Sequence, residues 1–274
     1  MEYVHTGMLT LTILLSVSLQ EVDRLVQDLS DERIDVRDLA ERSLVKAGAR
    51  AVAHLAPLLS CDDVEVQSRA ESVVRSVGLT AVPLLERHGA RDWANRLVRD
   101  KAWSHLKRDC CRVELREAPK WPATAELEAV TNGHLYGTVS AYRFHRGERG
   151  VKVLVVERDR ELRIRHGTLD ADVYGAWLRV LAAVHAARVT SEPEMEQRPS
   201  DRVRFATVRL RDSERVLMEQ SYSGAFDGER VAQWGITDSA AGVVWSMVRD
   251  LPLTPMVPTP EDLEWIRRIL DRAR

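Results

Sequence analysis

Cysteine, aromatic residues and long apolar runs are all scarce in this chain, and neither sign of charge is in excess. Three cysteines, an odd number, cannot close a complete disulfide framework. No apolar run reaches the roughly 18 to 20 residues of a membrane-crossing helix, so stable membrane insertion is not expected. Forty basic against 42 acidic side chains leave a net charge of −2, which gives no global attraction for nucleic acid. What is present suffices for a packed protein. With 45% hydrophobic and 30% charged residues over 274 positions, the chain can bury two ordinary cores, and wholesale disorder is excluded.

The first 20 residues stand apart. Met8 to Leu19 is apolar and hydroxyl-rich, has the length of a signal-peptide h-region, and carries small residues at Ser16 and Ser18 in cleavage-site spacing. The segment before it has no Lys or Arg. The expectation is an extracytoplasmic protein, periplasmic or secreted, if this signal is real, and a cytoplasmic one otherwise. In an oxidising compartment Cys61 could pair with Cys110 or Cys111; the spacing does not choose between them.

The strongest pattern is internal. Residues 25–55 align on 55–85 at an offset of 30 without a gap, with ten identities that include Leu29/Leu59, Val36/Val66, Ala40/Ala70, Glu41/Glu71 and Gly48/Gly78. A fixed period of this size marks stacked supersecondary units, none of which buries its apolar face alone. Each unit reads as a helix pair, the second helix running from about 35 to 47 and from about 65 to 77. Asp35 and Glu65 suit its N-terminus, and Gly48 and Gly78 its C-cap. Trp93 to Arg108 reads as an amphipathic helix capping the stack.

The run Asp35-Val36-Arg37-Asp38-Leu39-Ala40-Glu41-Arg42-Ser43-Leu44, followed by Gly48, Ala51, Val52 and Leu55, resembles HEAT repeats, the helix-pair units of α-solenoids. The second copy departs from that pattern at Gln67, where an Arg is usual. The resemblance covers roughly residues 21 to 90 and implies a protein-binding or scaffolding module. The candidate binding surface is Arg37, Glu41, Gln67, Glu71 and Arg75.

From about Cys111 the period changes to two. Candidate strands are 112–117, 136–144, 151–157, 161–165, 202–210 and 215–222, with Val151 to Val156 apolar on both faces and therefore central. Asn132-Gly133 and the Gly147/Gly150 pair read as turns. Opposite parities in Val203/Phe205 and Val208/Leu210 require a bulge or break near Ala206 or Thr207. Helices are expected from Asp170 to about Arg188, from Thr237 or Asp238 onward, and from Pro260, where Thr259 and Asp262 form a capping box. A polar linker spans Ser191 to Ser200. The fold class is thus multidomain: HEAT-like helices over 21–108, then an α+β domain over 111–251 with a largely antiparallel sheet. A Pro-rich hinge and C-terminal helix close the chain over 252–274. The strand–helix order is similar to that of small proteinaceous protease inhibitors.

Chemistry is harder to find. No phosphate loop, dinucleotide fold, nucleophile elbow or zincin helix is present. Ser221-Tyr222-Ser223-Gly224 lacks the first glycine of an elbow, and Asp170 with Asp172 is explained by helix capping. His105 with Cys110 and Cys111 lacks a fourth ligand, so no metal and no cofactor is expected. Arginine supplies 35 of the 40 basic residues. Arg163, Arg165, Arg202, Arg204, Arg209 and Arg211 would project from the sheet at period two, either as a platform for an anionic partner or as a solvated face. The expected function is non-enzymatic binding or scaffolding of a protein partner, with the oligomeric state open. The alternatives are a hydrolase with its site between the domains, or a peptidase inhibitor carried by the C-terminal domain.

Overall fold

The computed structural model describes residues 19–106, 113–133, 138–189, 203–223 and 230–272. The signal-like residues before Leu19, Cys110, Cys111, the Ser191–Ser200 linker and Arg202 lie outside them. The chain divides into two compact units, 1–90 and 91–274. Helices come first and a seven-stranded antiparallel sheet follows, an α then α+β layout.

In the first unit, α1 (Leu19–Asp28) packs on α2 (Ile34–Ala47) and α3 (Ala49–Leu55). A 3-10 turn, Ala56–Ser60, leads to α4 (Val64–Val77), and a second one, Gly78–Ala81, leads to α5 (Val82–Arg87). Contacts α1–α3 and α3–α5 make one row, and α2 on α4 makes the second. Leu25, Leu29, Leu44, Leu55, Leu59, Val74 and Leu85 are buried in this unit. α2 and α4 are both 14 residues long and begin and end 30 apart.

Each of these helices stops for the same reason. Gly48 has φ +63°, ψ −135° and Gly78 has φ +71°, ψ −145°, a region closed to side-chain-bearing residues rather than the left-handed helical region expected from sequence. A Cβ at either glycine would meet nothing within 4 Å, so the only cost of adding one is backbone strain. Gly48→Ala and Gly78→Ala are therefore each expected to lose about 1–2 kcal/mol. Thermal denaturation followed by circular dichroism checks this, and the two losses should be equal within error.

The second unit begins with α6 (Arg91–Leu106), the helix expected from sequence to cap the repeats. Within this unit it packs against α7 (Ala171–Ala186) and α8 (Arg230–Arg249), and Trp93, Leu97, Val98 and Leu106 are among its buried residues. The strands are β1 (Val113–Glu114), β2 (Glu126–Gly133), β3 (Thr138–Gly147), β4 (Gly150–Arg158), β5 (Leu162–Leu169), β6 (Arg188–Val189), β7 (Val203–Asp212), β8 (Arg215–Ser223) and β9 (Thr254–Pro255). β1 and β6 pair with each other, and the main sheet runs β8-β7-β2-β3-β4-β5-β9.

The two faces of the main sheet are covered differently. Leu127, Phe144, Val153 and Leu210 align across β2, β3, β4 and β7, under α7 and α8, with Phe144 stacked on Tyr174. On the other face Val139, Ala141, Leu154 and Val156 pack against Trp265, Ile266 and Ile269 of α9 (Pro260–Arg272). β4 is thus buried on both sides, as its sequence requires. The capping box of α9 is present: Asp262 accepts from the Thr259 N–H at 3.0 Å, and the Asp262 N–H donates to Thr259 Oγ1 at 3.2 Å.

Three expectations need correction. β2 was read only as a turn signal, yet it is a full strand between β3 and β7, and Asn132-Gly133 forms its last paired residues. The pairing of β7 is irregular at Val203–Phe205 against Asn132–Gly133 and again at Leu210–Arg211 against β8, not at Ala206 or Thr207. α8 begins at Arg230, ahead of the cap expected at Thr237 or Asp238.

Candidate interaction surface

The residues singled out on the helical unit separate into latches and surface. Arg37 Nη1 donates to the carbonyls of Asp31 (2.7 Å) and Glu32 (3.2 Å), and its Nε lies 2.9 Å from Glu65 Oε1. Gln67, one period later, donates to the Leu59 carbonyl at 3.0 Å. Both side chains therefore hold the turn that precedes their own helix. Gln67 does this as a neutral amide, so the departure from Arg in the second copy leaves the latch in place.

Arg69 is the centre of the unit's charge network. Its Nη1 donates to Asp38 Oδ1 and Glu41 Oε2, each at 2.9 Å, and its Nε to Glu65 Oε1 at 3.3 Å, which ties α4 to α2. Burial works against the charged guanidinium. Its hydrogen bonds to Asp38 and Glu65, with the charges of Asp38 and Glu41, outweigh that and hold its pKa above the ordinary arginine value. Sequence reasoning missed Arg69, because the equivalent position one repeat earlier is Leu39. The available signal was Asp38 and Glu41, two carboxylates at i, i+3 on a helix that needs a cationic partner.

Ile34, Asp38, Glu41 and Val45 form the stripe of α2 that includes two of the three Arg69 acceptors. The counterpart on α4, 30 residues on, is Val64, Ser68, Glu71 and Arg75, spaced for one helical face. Val64 is 76% exposed, as Ile34 is 62%, and Arg75 pairs with Glu71 at 3.3 Å within the stripe. Among the described residues of the first unit no further second-row helix follows α4. Beside the stripe runs a polar groove lined by Asp38, Glu41, Glu65, Ser68, Arg69 and Ser72.

The sheet arginines do not form one platform. Arg163 pairs with Glu157, and that row continues through Ser140 and Thr131 to Ala206. Arg209 pairs with Glu128, and its row continues through Arg143 to Leu154. Thr131 and Glu128 are three positions apart on β2, so the two rows lie on opposite faces. Arg163 is exposed, and Arg165 donates to Glu157 at 2.7 Å. Arg204 lies in β7 at the bulge, and Arg202 is outside the described residues.

On the α9 face the arginines alternate with carboxylates. Glu219, Arg209, Glu128 and Arg143 follow one another across four strands. Arg209 pairs with Glu219, Arg143 pairs with Glu261 of α9 at 2.9 Å, and the Trp265 indole N–H donates to Glu128 at 3.0 Å. The ladder fixes α9 in place. The pKa of His145, on the same face, is pushed below the ordinary histidine value, first by burial and then by the nearby Arg143 charge.

Ser221 and Ser223 lie within β8, so they form no strand-to-helix elbow. Asp170 caps α7 by accepting from the N–H groups of Asp172 (2.9 Å) and Val173 (3.0 Å). Among the described residues, no group of three His, Cys, Asp or Glu side chains is placed to hold a metal ion. No described helix is long and apolar enough to cross a membrane. No family model matches the chain, and neither the curated proteins nor the solved structures contain a match to it.

Proposed function

We propose that this is a non-enzymatic, macromolecule-binding protein whose helical unit is a short HEAT-like array that docks a protein partner on α4. One observation carries the reading. The α4 stripe of Val64, Ser68, Glu71 and Arg75 repeats, 30 residues on, the α2 stripe whose Asp38 and Glu41 accept from Arg69 of α4, and Val64 at its head is 76% exposed. An apolar residue beside paired charges, on a helix whose position the Arg69 network fixes, suits a partner helix or loop. The two rows of helices, their equal lengths and their shared glycine stops support the likeness to HEAT repeats.

Photo-crosslinking in native cells tests this. A crosslinking side chain at position 64 and another at position 75 are expected to capture the same discrete partner. One at Glu214, in the exposed β7–β8 turn, should capture none. The reading fails if positions 64 and 75 give no adduct, or if all three positions give the same smear.

A further inference from the structure

Neither the helical stripe nor the charge ladder uses the segment between α8 and α9. Residues 251 to 260 read Leu-Pro-Leu-Thr-Pro-Met-Val-Pro-Thr-Pro, so the pairs Leu251-Pro252, Thr254-Pro255 and Val257-Pro258 recur at a period of three. Each proline fixes its own φ near −65°, and it drives the residue before it into the extended or polyproline region. Eight of these ten residues are thereby biased toward a left-handed helix of three residues per turn before any tertiary contact forms.

The fold adds an orientation. Thr254 and Pro255 pair with His166 and Arg165 of β5, and the Met256 N–H donates to the Ile164 carbonyl at 3.3 Å. The third residue of the first two triplets turns inward, while Thr259, the third of the last, is exposed at the cap of α9. Leu253 lies against Gly167, where an added Cβ would come within 3.0 Å of Leu253 Cδ2, and Met256 packs on the cluster around Trp265. Most of the other two edges faces out: Pro252, Thr254, Pro255 and Val257 are exposed, Val257 at 91%, while Leu251 and Pro258 are half-buried. A groove that grips a three-per-turn helix can touch two of its edges, and here the edge it would leave is the one the protein itself holds.

We infer that residues 251–258 form a ready-made docking epitope for a partner domain with an aromatic-lined, proline-recognising groove. Stacked hydrophobic–proline pairs are what such grooves take. The prolines carry no N–H to desolvate. The strap is also held at both ends and in the middle, so little ordering entropy is lost on binding. The inference stands apart from the reading of the helical unit: loss of crosslinking at position 64 leaves it untouched, and its own failure leaves that reading untouched.

The test presents the full chain to an array of purified SH3, WW and EVH1 domains. At least one class is expected to bind, to be competed by the synthetic peptide LPLTPMVPTP, and to bind Pro252→Ala/Pro255→Ala at least about tenfold more weakly. Val257→Asp supplies the second variant. Its side chain is almost wholly solvent-facing, so the melting curve should stay unchanged while binding falls. The inference is overturned if no domain of the three classes binds, or if binding survives both variants.

Discussion

Trp265→Ala is expected to destabilise the second unit by about 3–5 kcal/mol, read as a lower urea midpoint. Trp265 is 2% exposed and is the largest side chain in the cluster that fastens α9 to the sheet, among Val139, Ala141, Leu154, Val156, Ile266 and Ile269. Its removal opens a cavity that β3 and β4 cannot close, because their other face is already packed under α7 and α8. Glu128 also loses its indole donor. Trp265→Phe separates the two effects. It keeps most of the ring volume and forfeits the N–H, so a smaller cost of about 1–2 kcal/mol is expected. A loss below about 1 kcal/mol for the alanine variant would show that α9 is not held by this cluster.

Arg69→Met should cost about 2–3 kcal/mol at low ionic strength. The Arg69 side chain is 15% exposed and its guanidinium faces three carboxylates, of which Asp38 and Glu65 are about half exposed and Glu41 about a quarter. Methionine keeps most of the stem's apolar contact, so the loss isolates the charge. The penalty sits below that of a fully buried pair because water reaches the acids. Repulsion among Asp38, Glu41 and Glu65 is what remains, so 1 M salt should restore part of the stability, since the screening length there is about 3 Å. Denaturation with and without salt measures both quantities. A penalty insensitive to salt would point to packing rather than charge.

Sequence reached some of this and stopped for identifiable reasons. The extents of α2 and α4 were readable because helix phase and the glycine stops at Gly48 and Gly78 are local. The box at Thr259 and Asp262 and the double burial of Val151–Val156 were local in the same sense. β2 was hidden because Glu126-Leu127-Glu128-Ala129 consists of good helix formers, and their alternation matters only once β3 and β7 lie beside them. The arginines defeated prediction differently. Period two shows which residues of one strand share a face, but relating Arg163 on β5 to Arg209 on β7 needs the strand order and the cross-strand register. Neither is encoded near either arginine. Arg37 and Gln67 looked like surface positions and are latches, because a turn carbonyl five to eight residues back leaves no trace in a helical wheel.

The strand order has a consequence for how the chain acquires its shape. β2 to β5 are sequential neighbours and can assemble as a meander while translation continues, yet the far side of β2 is paired only by β7, some 80 residues downstream. Until residues 203–212 have left the ribosome, the nascent meander presents a bare row of amides and carbonyls along Glu126–Gly133. That interval is when the newborn polypeptide is most open to pairing with the wrong strand, and when a chaperone would matter most.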